Sequence, residues 1–373
     1  MRIVLTGGRS PLALFFGQKL KQMGHEMYML EHFSPTFANY TNIFTKIEVI
    51  APPAQQFETF RKEVLSFIER NAIDLLLPIN EETLYYGLLQ EEIQHRGTSF
   101  LIGEQELLNT LHNKLTFITW CEAIGLLVPK SELYVAQAVD FSKQLVKPIY
   151  SRFGQSVFFS EEAITTIDSE NYIVQEKIEG QQICLSLMLK NGQLISACAY
   201  DTNLGIENFA SITYVPFEHP KLTQIIEILS QHLSQNGFFS FDFMFDGTTF
   251  YPIECNPRLT FGAVLDNERI IAGLLDTPVK EINKRITTSY GIKLLWLGKI
   301  ITQKNWRKTY PTYLKTQDVL AEAFVWQTWL MLPWVLAQYF LKAKKQKLSI
   351  TDFVVQDISY QVDKNEGTEG SDE

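Results

Sequence analysis

The sequence predicts an α/β fold that passes into α+β: a Rossmann-like N-terminal domain, then antiparallel hairpins, then a helical C-terminal extension. Three observations carry this. Residues 2–31 read as a strand, a helix and a strand; a phenylalanine-rich strand turns back on itself over residues 237–258; and a long apolar run covers 323–341. The first is the signature of a βαβ unit, the second alternates with a period of two, and the third matches the length of a long helix.

The opening strand, Arg2-Ile3-Val4-Leu5, enters Thr6-Gly7-Gly8-Arg9-Ser10-Pro11, a helix is predicted over 12–23, and Gly24-His25-Glu26 returns the chain to a strand at 27–30 closed by Glu31. The glycines do not keep the G-x-G-x-x-G spacing, which argues against a dinucleotide fingerprint. A further strand at 73–77 precedes Pro78-Ile79-Asn80-Glu81-Glu82-Thr83. Ligands of open α/β sheets bind at strand ends, so Arg9, Glu81 and Glu82 are candidates for contact with an acceptor substrate. The alternative is that Glu81 and Glu82 simply favour the N-terminus of the next helix.

Residues 145–157 read as a strand that delivers Lys147 at its end, is stopped by Pro148, and opens into a small polar loop with Arg152 and Gly154. Backbone N–H groups of such a loop can form an anion nest, with Lys147 and Arg152 adding charge; an ordinary hairpin with a solvated Arg152 is the competing reading. The next strand, Tyr172-Ile173-Val174-Gln175-Glu176-Lys177-Ile178-Glu179-Gly180, ends in polar residues and turns at Gly180. Its backbone could read a base edge.

In Gly237–Phe245 the phenylalanines alternate with Ser240, Asp242 and Met244, so one face is core and Asp242 points the other way. Asp246-Gly247 supplies a turn and 248–253 returns to Glu254. A strict two-residue turn would put Asp242 and Glu254 on opposite faces, whereas a three-residue loop or one bulge unites them. The bulged version is expected, with Asp242 facing Pro252 and Glu254 one diagonal step away. Asp242, Glu254 and the amide oxygen of Asn256 then form a set of hard oxygen donors suited to Mg2+ whose remaining positions are filled by phosphates. The planar fork of Arg258 suits a phosphate oxygen pair. The competing reading is a surface hairpin with solvated acids.

In this order and with these gaps, the segments resemble the ATP-grasp superfamily. The matching positions are Lys114 in Leu111-His112-Asn113-Lys114, a helix and Gly125-Leu126-Leu127-Val128-Pro129, the Lys147 strand and flap, the Gln175 to Gly180 hinge, and Glu254-Cys255-Asn256-Pro257-Arg258. The likeness covers residues 1–285 and looks nearest to carbamoyl-phosphate-synthetase-like members of loosely defined substrate, which share the Lys-Pro-x-x-Ser-Arg-Phe flap and the Phe-Asp-Phe strand.

The resemblance implies a preATP-grasp domain at 1–105, a two-lobed ATP-grasp domain at 106–288, and ATP with one or two Mg2+, or Mn2+, as cofactors. Residues 289–362 then form the helical extension. Lys114 and Lys147 would contact ATP phosphates, with Arg152 in the flap above. Gln175, Glu176, Lys177 and Ile178 would lie at the adenine, and Gln182 at the ribose position, where the family usually carries an acid. Asp242, Glu254 and Asn256 would hold metal, and Arg258 would steady the transferred phosphate. The loop Leu259-Thr260-Phe261-Gly262-Ala263 departs from the Gly- and Ser-rich pattern and is expected to shape the acceptor site. The implied reaction joins a carboxylate to an amine, or less often a thiol, through an acyl phosphate. A nucleotide-binding regulatory or scaffold protein without turnover is the alternative.

Composition is consistent with a large folded protein: 46% hydrophobic against 20% charged residues. The net charge of −9 argues against nonspecific nucleic-acid binding. Four cysteines without C-x-x-C spacing read as reduced thiols of a cytoplasmic protein, and the six histidines are scattered. No signal peptide is read at the N-terminus. The run at 323–341 and its flank Lys342-Ala343-Lys344-Lys345-Gln346-Lys347 admit three readings: a helix buried against the ATP-grasp domain, an interfacial membrane helix, or a span. Peripheral membrane contact through 323–347 at the inner face of the membrane, and a homodimer, are the corresponding partner expectations. Residues 363–373 read as an acidic disordered tail.

Overall fold

The structure is a computed structural model that describes all residues except 151–156, 162–163, 165–170, 203–211, 234, 279–284, 297–305 and 363–373. The flap and acidic-tail expectations therefore lie outside the described residues, Arg152 included. The chain divides into two compact units: the first holds residues 1–105, 258–260 and the described part of 318–373, the second 106–257 and 261–317.

In the first unit, β1 (Arg2–Thr6), α1 (Pro11–Gln22), β2 (Glu26–Glu31), β3 (Lys46–Val49), α2 (Phe57–Asn71), β4 (Leu75–Leu77), α3 (Thr83–Gly87), α4 (Gln90–His95) and β5 (Ser99–Phe100) follow in order. The five strands form one parallel sheet in the order β3-β2-β1-β4-β5. Ile3, Val4 and Leu5 are fully buried, as expected of a central parallel strand covered on both faces. Helix α1 starts where the sequence places it, because Ser10 Oγ accepts the Leu12 N–H at 3.3 Å and Pro11 occupies the first helical position.

At the C-terminal ends of β1 and β2 the guanidinium of Arg9 is enclosed. Its Nε donates to Glu31 Oε1 at 3.1 Å, Nη1 and Nη2 donate to the two carboxylate oxygens of Asp357 at 2.8 Å each, and Nη1 also donates to the Val354 carbonyl at 2.9 Å. Burial alone would lower the Arg9 pKa, but Glu31 and Asp357 outweigh it and hold the group charged. Beside it Glu81 accepts the Tyr360 N–H at 3.0 Å, and Glu82 accepts the Thr6 hydroxyl at 2.6 Å. The expectation that Arg9 and Glu81 touch an acceptor is thus corrected: residues 354–360 of the chain's own C-terminal segment meet both, while Glu82 is buried against Thr6. Contacts separated by more than 270 residues leave no local trace in the sequence.

That segment follows a long helix, Trp326–Gln346, and a short one, Ile350–Phe353. Val335, Tyr339, Ala343 and Phe353 pack with Phe33, Phe37 and Tyr40. Thr328 Oγ1 donates to the Tyr40 carbonyl at 2.7 Å. The long helix therefore buries its stripe against residues of the first unit, which corrects the reading that buries it against the ATP-grasp part. No helix among the described residues is long and apolar enough to cross a membrane, which removes the spanning reading.

The second unit begins with α5 (Gln105–His112) and α6 (Lys114–Ala123). A small antiparallel sheet follows, β6 (Ser131–Leu133), β7 (Gln144–Pro148) and β8 (Tyr172–Glu176), ordered β6-β8-β7 around Tyr134, Val146 and Val174. The larger sheet comprises β9 (Gln181–Lys190), β10 (Gln193–Asp201), β11 (Thr213–Pro216), β12 (Gly237–Phe245), β13 (Phe250–Asn256), β14 (Tyr290–Gly291) and β15 (Gln317–Asp318), in the order β13-β12-β9-β10-β11-β14-β15. Phe239, Phe241 and Phe243 are fully buried, so the alternating strand reads out as expected.

Candidate functional site

The hairpin β12–β13 turns through Asp246 to Thr249. Asp246 Oδ1 accepts the N–H groups of Thr248 and Thr249, each at 2.7 Å, and Gly247 takes the left-handed φ of 98° that such a turn needs. Phe245 and Phe250 stack across the strand ends at 4.3 Å. From there Phe243 pairs with Pro252, but Asp242 pairs with Glu254, so Ile253 is the extra residue of a bulge. The bulge is present as expected. The pairing it produces is direct rather than diagonal, which places Asp242 and Glu254 side by side on one face, with β-carbons roughly 5 Å apart for such pairs.

Two lysines reach this face from separate elements. Asn113 caps α6 by accepting the N–H groups of Leu115 and Thr116, which fixes Lys114 at the first helical position. Helix α6 packs on β13, with Phe117 against Phe241 at 6.0 Å between ring centres, and Lys114 Nζ lies 3.4 Å from Glu254 Oε2. Lys147, near the end of β7, donates from Nζ to the carbonyl of the bulged Ile253 at 2.9 Å. Both lysines are buried, whereas the Glu254 side chain keeps 30% exposure.

The electrostatics follow from this packing. Burial, and then the neighbouring Lys114 charge, lower the Lys147 ammonium to about 7, with Glu254 and Asp242 pulling the other way. Burial works against ionisation of Glu254, but Lys114 and Lys147 together hold its carboxyl below the usual range. A site with two enclosed amines beside an ionised carboxylate gains from the arrival of further negative charge, such as phosphate oxygens.

The other expected residues are distributed as follows. Gln182 Nε2 donates to Asp242 Oδ2 at 3.2 Å, so the amide expected at the ribose touches a carboxylate of the acidic pair. Asn256 lies two residues beyond Glu254 on β13, opposite Ser240. Gln175 is buried and donates from Nε2 to Ser131 Oγ at 2.9 Å, tying the hinge strand to β6. Glu176 is exposed and its carboxylate accepts the Lys130 N–H at 3.2 Å, while the Lys177 N–H donates to the Lys143 carbonyl at 2.8 Å. Ile178 is half-buried just before the Gly180 turn, where an added β-carbon would collide with the Phe245 carbonyl. Arg258 groups with the first unit.

Sequence reasoning missed two participants. The Ile253 carbonyl is the acceptor of Lys147, and Cys184, directly paired with Asp242 on β9, lies within hydrogen-bonding reach of that carboxylate. Burial, and then the Asp242 charge, push the Cys184 thiol well up, so it stays protonated. The i, i+2 relation of Cys184 to Gln182 was the available signal, but it becomes readable only once the pairing of β9 with β12 is known.

The donor set, two carboxylates and a side-chain amide oxygen, fits a hard cation. Among the described residues no three His, Cys, Asp or Glu side chains gather to hold a metal alone. Oxygens from a bound phosphate chain would have to complete the shell, as is usual for Mg2+.

Residues 111–262 match the family model described as the ATP-grasp domain. The chain carries an ATP-grasp domain. Several solved structures share its fold. N5-carboxyaminoimidazole synthetase from Staphylococcus aureus aligns with a TM-score of 0.57 and 15% identity over 74% of this chain and 78% of that one. L-amino acid ligase from Bacillus licheniformis aligns at 0.55 and 13%, over 73% and 70% respectively. The biotin carboxylase domain of 2-oxoglutarate carboxylase from Hydrogenobacter thermophilus, solved with MgADP, ADP and bicarbonate, aligns at 0.59 and 11%, over 77% and 73%. At these identities the likeness is one of fold. No curated protein matches the sequence. The expected fold class is borne out: a parallel N-terminal sheet, the ATP-grasp fold, and a helical C-terminal region.

Proposed function

We propose that this chain is an ATP- and Mg2+-dependent ligase that joins a carboxylate to an amine, or less often a thiol, through an acyl phosphate. The observation that carries the reading is the gathering of Lys114, Lys147, Asp242 and Glu254 at one bulged hairpin of an ATP-grasp domain. The likeness to proteins described as a synthetase and an amino acid ligase supports the same class.

In this reading Asp242, Glu254 and Asn256 hold one or two Mg2+, and Lys114 and Lys147 neutralise phosphate oxygens. The hinge at Gln175, Glu176, Lys177 and Ile178 would lie at the adenine, read by the Glu176 carbonyl and the Ile178 N–H, and Gln182 would serve the ribose. Arg258 would steady the transferred phosphate, and Arg152, which lies outside the described residues, belongs to the proposal as the flap cation. When bound, ATP supplies the phosphoryl group that activates the carboxylate, while Mg2+ spreads the phosphate charge. The protein's share is positioning, charge neutralisation and exclusion of water from a hydrolysable intermediate. A cytoplasmic location is in keeping with four buried thiols without a disulfide among them. Contact with the inner face of the membrane through 323–347, and a homodimer, belong to the same proposal.

The purified chain incubated with ATP, Mg2+ and pooled carboxylates and amines tests the class. ADP that forms only when both acceptor pools are present, with a matching conjugate mass, supports the ligase. ADP with carboxylates alone would indicate a kinase. Nucleotide binding without acceptor-dependent ADP would indicate a regulatory or scaffold protein.

A further inference from the structure

The long helix Trp326–Gln346 is apolar on two opposite sides, and only one of them is covered. Thr328, Val335, Tyr339 and Ala343 form the stripe packed within the first unit. At about 100° per residue, Trp326, Trp329, Leu330, Trp334, Phe340 and Leu341 fall on the opposite side, within about 140° of arc. Each of these six side chains is between 46% and 70% exposed. A contiguous apolar surface of this kind on a folded protein marks an interaction site.

Charge decides the partner. The helix contains no acidic residue over its 21 positions. Lys344 continues the exposed face one turn beyond Phe340, Lys345 stands beside it, and Lys347 caps the helix, all three exposed. Two copies of this face set against each other would offer these lysines no carboxylate on either helix to pair with. The tryptophans point the same way. An indole has an apolar body and an N–H that needs an acceptor, which a dry protein interface leaves unmet but a lipid headgroup layer supplies.

We propose that this face docks on an anionic lipid surface, with the helix lying in the plane of the interface, its aromatic side chains at headgroup depth and Lys344, Lys345 and Lys347 on lipid phosphates. The lysine cluster gives a chain of net charge −9 a local means of approaching a negative surface. The proposal rests on the peripheral location given above and is independent of ligase activity, so vesicle binding is measured without ATP or acceptors.

The full-length chain is sedimented with vesicles of phosphatidylcholine alone and of phosphatidylcholine with phosphatidylglycerol. Binding to the anionic vesicles, weakened by salt and accompanied by a blue shift of tryptophan emission, is the expected result. Leu330→Ser combined with Trp334→Ser should reduce binding roughly tenfold or more at an unchanged melting temperature. Lys344→Glu with Lys345→Glu should abolish the preference for anionic lipid. Should either variant fail to fold, brominated phospholipid provides a test on the wild-type protein: quenching of its tryptophan emission supports the proposal and absence of quenching overturns it. Failure to sediment with either vesicle, or wild-type binding by the folded Leu330→Ser, Trp334→Ser variant, overturns it. A dimer that these substitutions dissociate, in a protein that ignores vesicles, assigns the face to a second copy and equally overturns it.

Discussion

Asp242 and Glu254 are direct cross-strand partners, placed on one face because Ile253 bulges out of β13. The same bulge turns the Ile253 carbonyl toward Lys147, so a single extra residue aligns both acids and one amine. Replacing Glu254 by Gln keeps the shape but removes the charge opposite Lys114. Metal-dependent turnover should fall by about 100-fold or more, the size of a few kcal/mol of lost charge stabilisation, with the far-UV dichroism unchanged. Steady-state ADP release by the purified variant is the check.

Lys147 gives the site a pH signature. In the free protein its pKa is lowered to about 7, and phosphate oxygens beside it would raise that value. Nucleotide binding near pH 8 should therefore take up close to one proton, binding near pH 6 almost none, and affinity should weaken as pH rises through 7. Calorimetry in two buffers of different ionisation enthalpy measures the uptake, and Lys147→Met should abolish it.

Gln182 donates to Asp242, and in the proposed reading it serves the ribose. A neutral hydrogen bond is worth about 0.5–1.5 kcal/mol, so Gln182→Ala should reduce discrimination between ATP and 2′-deoxy-ATP by roughly three- to tenfold. Competition binding with the two nucleotides reads this directly. Unchanged discrimination would remove Gln182 from the ribose.

Much of this site was legible in the sequence because its signals are local. The alternation of Phe239, Phe241 and Phe243 sets the face of Asp242, Asp246-Gly247 marks the turn, and Asn113 marks the helix start that positions Lys114. The need for a bulge followed from parity, but its position did not, since Ile253 and Pro252 look alike to a period-two pattern. Cys184 and the Gln182 contact required knowing that β9 pairs with β12 across more than fifty residues. The C-terminal segment that encloses Arg9 was unreadable for the same reason. In the long helix an aromatic-rich run signals apolar surface without saying which side is covered.

The enclosed ion cluster Arg9, Glu31 and Asp357 should matter for folding. Arg9→Ala leaves the Glu31 carboxylate buried without its cation, an arrangement that costs about 3–5 kcal/mol. Asp357→Asn, which keeps hydrogen-bonding capacity at a less buried position, should cost less. Urea unfolding of the three proteins gives the ranking, and an Arg9→Ala variant as stable as wild type would show that the first unit does not depend on this cluster.

The most direct test of the hairpin as a metal site is the binding of Mn2+, in place of Mg2+, followed by electron paramagnetic resonance with and without ATP. Wild type should bind Mn2+ tightly only when ATP is present, while Asp242→Asn should lose that ATP-dependent binding and keep its fold. Equal ATP-dependent Mn2+ binding by wild type and Asp242→Asn would contradict the assignment of this carboxylate pair.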